Sequence, residues 1–454
     1  MQFVTIAAAM GVAVATLSTG AAAQGTATAY PPLPPIQATG TPTPIPPSNV
    51  VLSLPKDMYL HDGAPTEWWW YVGTLHSGSR TFGFEINAAS FIKQGFAFSQ
   101  LSLTDVKNQK HYQRTTPYLP GKAFNGSTWA QSNPAKPWSA RLGSATQPLS
   151  GVQVTNAGTG YTRADVTFNG NGKGATGKAT LDKNGGIEGI LVTNPGTGYT
   201  KPPKVVVTGN GSGATATAFN SWVSATAPAS NPTKNMHVQG LLVDDPTMTK
   251  VKYDLTFSQV GKPFYVWGRG VDPKATHESL SENNYYFSTT QLQAKGTITV
   301  GGKKYPVTGV TWMDHEYGSF GSADHPVQWI LQDLQLANGW SVSNVGSVGP
   351  GKTPQLDVPF TGYATLESPT GQMYLVASTV TPTGSTWTSP QSGKTYFTTL
   401  NINIPLFNAQ ITATSSMPSQ EFPGSVSVYE GVGTAKGTFQ GSPTTAQAWI
   451  EETF

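Results

Sequence analysis

The 454-residue chain contains no cysteine. That absence excludes disulfides, thiol nucleophiles and thiolate metal sites, and leaves the compartment open, because an exported protein need not carry a bridge. Charge is also scarce. Only 11% of residues are Asp, Glu, Lys or Arg, and the net charge of +3 gives no reason to expect nucleic acid as a partner. Basic residues are scattered, so no cluster suggests an anionic membrane surface, and membrane contact is expected only through export or peripheral association. Long runs of Ala, Leu, Glu and Lys at helical spacing are missing as well. What fills the chain is strand and turn chemistry, with 50 Gly and 35 Pro, and an all-β protein follows.

The first charged residue is Lys56. Residues 1–23 form an uncharged Ala/Val-rich stretch ending Gly20-Ala21-Ala22-Ala23, the shape of a secretory signal peptide that lacks its basic start. Cleavage after Ala23 is expected, with an uncleaved anchor as the alternative, and the protein is expected to be exported to the periplasm or beyond the cell. Residues 24–50 are rich in Pro, Thr and Ala and read as an extended, protease-sensitive linker.

Scarce charge makes one stretch stand out. Asp314, His315 and Glu316 are consecutive, bracketed by Trp312 and Tyr317, and follow a β-prone run from Lys304. In a strand, period two places Trp312, Asp314 and Glu316 on one face and Met313, His315 and Tyr317 on the other. Two carboxylates on one strand face beside an indole are able to form an acid–base pair, since burial and a like-charged neighbour both raise a carboxyl pKa. An ordinary structural ion pair at a strand end gives the same spacing. Glu67 sits among Trp68, Trp69 and Trp70 in a second aromatic strand and is either a buried carboxylate or a wet strand end. The seven histidines form no recognisable ligand spacing, so no metal and no cofactor is expected.

Between these stretches lies a repeat. Val154 to Thr162 (VTNAGTGYT) returns as Val192 to Thr200 (VTNPGTGYT), and Gly170 to Thr176 (GNGKGAT) returns as Gly209 to Thr215 (GNGSGAT). Each unit reads strand, Gly-rich turn, strand, Gly-rich turn, so residues 147–218 are expected to form a small β-repeat module inserted in a surface loop. It resembles the Gly-x-Gly-Tyr-Thr repeats of phage-tail and bacterial surface proteins, which implies cell-surface or carbohydrate contact if it is not inert.

The segment from Trp312 to Tyr317 (WMDHEY) resembles the W-M-D-H-E-W signature of the carotenoid 1,2-hydratase/AttH-like family, with Tyr317 in place of the last Trp. Three further segments agree in order: Thr66 to Leu75 with Phe82 to Glu85, Asn284 to Thr290 with Gly296, and Tyr429-Glu430-Gly431 with Gly437, Gly441 and Glu451. The resemblance implies two tandem lipocalin-like antiparallel β-barrels, here expected at 51–282 and 283–454. It also implies a hydro-lyase that adds water to a double bond of an apolar isoprenoid-type substrate by acid catalysis. Asp314 is then the acid, Glu316 or His315 the base, and Glu67, Trp69, Tyr286, Trp312 and Tyr317 line the substrate. The alternative is an exported, non-catalytic barrel that binds an apolar isoprenoid or lipid ligand, with the acidic triplet as a polar network.

Overall fold

The computed structural model describes residues 29–33, 35–91, 95–119, 129–320, 328–348, 353–424 and 427–453. The expected signal segment lies outside these residues. Among them the only helical pieces are short 3₁₀ turns; everything else regular is strand, and no helix is long and apolar enough to cross a membrane.

The first barrel opens with β1 (Thr66–Ser77), β2 (Arg80–Phe91), β3 (Phe96–Asp105), β4 (Lys110–Tyr118) and β5 (Trp138–Leu142). The chain then leaves to build β6 (Gly151–Asn156), β7 (Ala164–Asn169), β8 (Lys173–Leu181), β9 (Ile187–Thr197), β10 (Lys204–Gly209) and β11 (Thr215–Phe219). It returns through β12 (Trp222–Ala227), β13 (Met236–Val243), β14 (Lys250–Gln259), the short β15 (Phe264–Tyr265) and the long hairpin β16 (Asn284–Val300) and β17 (Lys303–Gly318). The second barrel comprises β18 (Trp329–Leu336), β19 (Ser341–Ser347), β20 (Phe360–Glu367), β21 (Met373–Thr388), β22 (Thr395–Ile404), β23 (Ala409–Ser415), β24 (Glu421–Phe422), β25 (Val428–Phe439) and β26 (Ser442–Thr453).

The first sheet runs β4-β3-β2-β1-β17-β16-β14-β13-β12-β5, with β15 beside β16, and is nearly closed. Arg114 helps bring its ends together: its guanidinium donates to the carbonyls of Val243 and Asp244 and pairs with Asp245 at 3.0 Å. The second sheet runs from β23 through β18 to β26 and β25, and β23 pairs with β25 to close it. Both are antiparallel, and closing a sheet on itself is what removes its free edges.

This topology moves the expected boundary at 283. β16 and β17 are the strands through which β14 reaches β1, so the hairpin 284–318 completes the first barrel and the second begins at Trp329. The reason is visible in side-chain parity. Tyr285, Phe287, Leu292, Met313 and Tyr317 are all buried in the first core with Trp69, Tyr71 and Phe84.

The repeat region has its own core of Leu149, Tyr161, Phe168, Ile187, Ile190, Val192, Val205 and Ala218. The two copies clasp each other. Tyr199 of the second copy packs on Gly172 of the first, and Tyr161 of the first packs on Gly211 of the second. A methyl group on Gly172 would lie 2.4 Å from the Tyr199 ring, and one on Gly211 would lie 2.5 Å from the Tyr161 ring. The Gly-rich turns are therefore sockets for the partner copy's tyrosine, which explains why both motifs recur together.

The described residues of 29–46 lie docked along both barrels, and a 3₁₀ turn at Pro47–Asn49 follows. Tyr30 N–H donates to Thr276, and Gln37 and Ile45 N–H donate to Leu375 and Met373. The buried Arg269 donates to the Pro31 carbonyl at 2.8 Å. This proline-rich segment forms no strand, yet its carbonyls and a few apolar side chains such as Ile45 find partners on neighbouring surfaces.

Candidate active site

β1 and β17 are antiparallel neighbours, with Trp68 opposite Glu316, Trp69 opposite His315 and Trp70 opposite Asp314. Strand alternation then sorts the candidate residues into two groups. Glu67, Trp69, His315 and Tyr317 point into the first barrel. Trp312, Asp314, Glu316 and Tyr286 point away from its core, toward the second barrel. A small apolar cluster of Val72 and Trp312 from the first barrel with Val432 and Trp449 from the second marks that interface. Gly83 lets it close: a methyl there would stand 2.4 Å from Val432.

On the interbarrel face Asp314 is 4% exposed. One oxygen accepts from Trp312 Nε1 at 2.7 Å and from Ser288 Oγ, and the Tyr286 hydroxyl stands beside it. Glu316 accepts from the Asn284 amide. The second barrel contributes Asp333 from β18, Glu430 from β25 and Glu451 from β26, while β2 of the first barrel contributes Glu85. Trp329 Nε1 donates to Glu451 at 3.1 Å and Trp449 Nε1 donates to Glu430 at 2.8 Å. Glu85 accepts from Asn87 at 3.2 Å, and its other oxygen has no partner among the described residues. The Ser343 hydroxyl stands beside Asp333 and favours its charged form, neither Asp333 oxygen makes a well-formed hydrogen bond among the described residues, and the indole N–H of Trp70 finds no partner among them.

Six buried carboxyls on one face cannot all be ionised. Burial raises Glu451, Asp333, Glu316, Glu430, Glu85 and Asp314, and repulsion adds to it for all but Asp314, whose donors from Ser288, Trp312 and Tyr286 pull it back toward the carboxylate. The arrangement therefore keeps protons on carboxyls while favouring charge at the best-donated one. That is the combination of acid and base that carboxyl pairs supply in catalysis.

Inside the first barrel the chemistry differs. Glu67, 2% exposed, accepts from the His61 backbone N–H at 3.0 Å, and its Oε1 lies 2.9 Å from His61 Nδ1. His315 donates from Nδ1 to the Trp68 carbonyl at 2.8 Å and stacks on Trp69, with ring centroids 4.5 Å apart. His61 stacks on Tyr317 at 3.5 Å. Burial pushes His315 down, and the neighbouring His61 pushes the same way. Burial would lower His61 too, but Asp57 and Glu67 outweigh it and raise it to about 9.

Two expectations are corrected by this geometry. His315 does not share a face with Asp314 and cannot serve as its base, because adjacent strand residues project to opposite sides. Glu67, Trp69 and Tyr317 line the barrel interior with His315, not the surface that Asp314 faces. Trp312 and Tyr286 do accompany Asp314. Sequence reasoning missed Glu85, Glu430, Glu451 and Asp333 as site residues, although the first three lie inside the motifs that carried the family resemblance. His61 and Asp333 had no such signal.

The AttH-like family model matches residues 204–451. The chain belongs to the AttH-like family. No curated protein matches it. Among solved structures, an AttH protein from Nitrosomonas europaea is similar at 15% identity with a TM-score of 0.55, covering 90% of this chain and 98% of that one. Kievitone hydratase from Nectria haematococca is similar at 14% identity with the same TM-score, covering 94% of this chain and 98% of that one. At such identities these likenesses speak for the fold: family members and this chain share the paired-barrel architecture. The motif at Thr66 to Glu85 lies outside the matched span, but its strands pair directly with the Trp312–Tyr317 strand inside it.

Proposed function

We propose that the interbarrel face hydrates an isolated carbon–carbon double bond in an apolar, isoprenoid-type molecule by acid catalysis. The observation that carries this reading is the convergence of Asp314 and Glu316 with Asp333 and Glu451 from the other barrel, beside Trp312, Trp70 and Tyr286. The fold shared with kievitone hydratase agrees in reaction class, as analogy only.

An isolated alkene has no electron sink, so its hydration must begin with a strong proton donor. A protonated carboxyl of the Asp314–Glu451 group gives its proton to the less substituted carbon, and the π electrons form the new C–H bond. The tertiary cation left behind is favoured by the electron-rich faces of Trp312, Trp70 and Tyr286. Water then supplies the electron pair for the C–O bond, and its extra proton passes to a carboxylate of the group, restoring the starting state. Asp333, beside the Ser343 hydroxyl, is suited to hold that water.

The test is to incubate purified protein with acyclic terpenoid alkenes and prenylated phenols in ¹⁸O-labelled water, then analyse the extract by mass spectrometry. The proposal expects a tertiary alcohol carrying one labelled oxygen. Retention of an unreacted apolar ligand, with no label incorporated from any of these alkenes, would favour the non-catalytic binding protein instead.

A further inference from the structure

The hydration reading leaves the polar group inside the first barrel unused, and that group has the form of a metal site. His61, Glu67 and His315 each offer a ligating atom, and those atoms lie within 4.8 Å of one another. His61 Nδ1 is 2.9 Å from Glu67 Oε1, and His315 Nε2 is 3.5 Å from the same oxygen. Ligand atoms about 2.0–2.1 Å from a tetrahedral zinc stand roughly 3.3 Å apart, between those two distances.

The orientation of the rings is more telling than the distances. The Trp68 carbonyl can only accept, so His315 Nδ1 carries a proton and the Nε2 of the neutral ring presents a lone pair. That nitrogen is fully buried, makes no well-formed hydrogen bond among the described residues, and is faced only by acceptors, the Glu67 carboxyl and the Asp57 backbone carbonyl. It faces a carboxylate oxygen, and two acceptors facing each other out of contact with water repel. A cation between them satisfies both. His61 differs: Nε2 lies 3.5 Å from Asp57 Oδ1 and Nδ1 lies 2.9 Å from Glu67 Oε1, so a cation would take the place of the proton between Nδ1 and Glu67. A backbone carbonyl behind one imidazole and a carboxylate behind the other are the partners that fix ligating histidines. Stacking on Trp69 and Tyr317 holds both rings in plane.

We propose that His61, Glu67 and His315 bind one zinc-class divalent cation. Two imidazoles and one carboxylate suit zinc, whereas calcium and magnesium take oxygen ligands. The cation would tie the 57–61 segment to β1 and β17 at the end of the barrel. Access is from the side of His61, whose side chain is 15% exposed. This inference does not rest on the hydration reading, since its residues lie on the other side of the strand.

The test uses the full chain, stripped with EDTA and dialysed. Zinc is titrated in competition with a chromophoric chelator, with circular dichroism as a check on folding. One equivalent should bind and raise the melting temperature. His61→Ala and Glu67→Gln should each weaken binding by at least about tenfold, and Asp57→Asn by roughly tenfold with the stoichiometry kept. His61→Ala removes a loop side chain, so it tests the site even if His315→Ala fails to fold. His237→Ala, at an exposed histidine, should change nothing. Less than one equivalent bound to the parent protein, or an affinity unchanged in His61→Ala and Glu67→Gln, would overturn the proposal.

Discussion

Asp314 and His315 are covalent neighbours that live in different surroundings. On the Asp314 side, carboxyls from two barrels crowd together and indoles frame them. On the His315 side, one carboxylate meets two imidazoles held by stacking and by backbone, inside a core of large aromatic side chains. A single strand thus presents a proton-rich surface on one face and a nitrogen-rich pocket on the other. The difference teaches that a sequence motif is not a site. Three consecutive ionisable residues in a strand belong to two sites, and each is completed by residues far away in the chain.

Removing the acids of the interbarrel face should have the largest effect. Asp314→Asn and Glu451→Gln should each lower turnover of a hydrated substrate by about 10²–10⁴-fold, the usual worth of general acid–base catalysis, while thermal unfolding stays cooperative. Full activity in both variants would take the chemistry away from this face. Removing the aromatic floor of the other face acts on stability. Trp69 is 1% exposed and packs against Trp129, Trp138 and His315, so Trp69→Ala should cost about 3–5 kcal/mol in denaturant unfolding. The seam between the barrels is a milder target. Gly83→Ala pushes a methyl against Val432 and should cost about 1–3 kcal/mol, with loss of activity from displaced acids.

Burial of carboxyls also sets a pH dependence. Burial raises Glu452 to about 8 and Glu367 to about 7, against about 4.3 for a free glutamate. Between those values the folded chain binds more protons than the unfolded one, so stability falls as pH rises. The contribution is complete below the unfolded value and is lost as pH passes through about 7 and 8. Melting temperature should therefore be higher near pH 5 than near pH 9, and an increase toward alkaline pH would contradict the protonated state of these groups. The smallest effect is expected from deleting 147–218, whose core is its own; both barrels should keep one cooperative transition apiece, or a shared one.

Much of the fold was legible because its signals are local. Alternation along β1, β2 and β17 gave the strands and the correct face for each residue of the Trp312–Tyr317 segment. The paired repeats announced a module with a separate core. The site was half legible for the same reason. Asp314 and Glu316 stood out in a chain poor in charge, whereas Asp333 looks like any polar residue in a strand until the second barrel places it opposite them. The boundary at 283 was misplaced because a hairpin of uniform alternation does not say which sheet it will join; that is decided by pairing with β1 and β14, two long-range events. His61 was invisible for a simpler cause: it lies in a loop, and only the closing of that loop over the barrel end brings it to Glu67 and His315.

Acid-catalysed hydration requires the interbarrel face to store a transferable proton at neutral pH. Infrared spectroscopy of the protonated carboxyl C=O stretch measures this directly. A protonated-carboxyl band is expected near pH 7 in the parent protein, part of which disappears in Glu451→Gln and shifts in Asp333→Asn. A spectrum with no protonated carboxyl at neutral pH, or a band unchanged in Glu451→Gln, would contradict it.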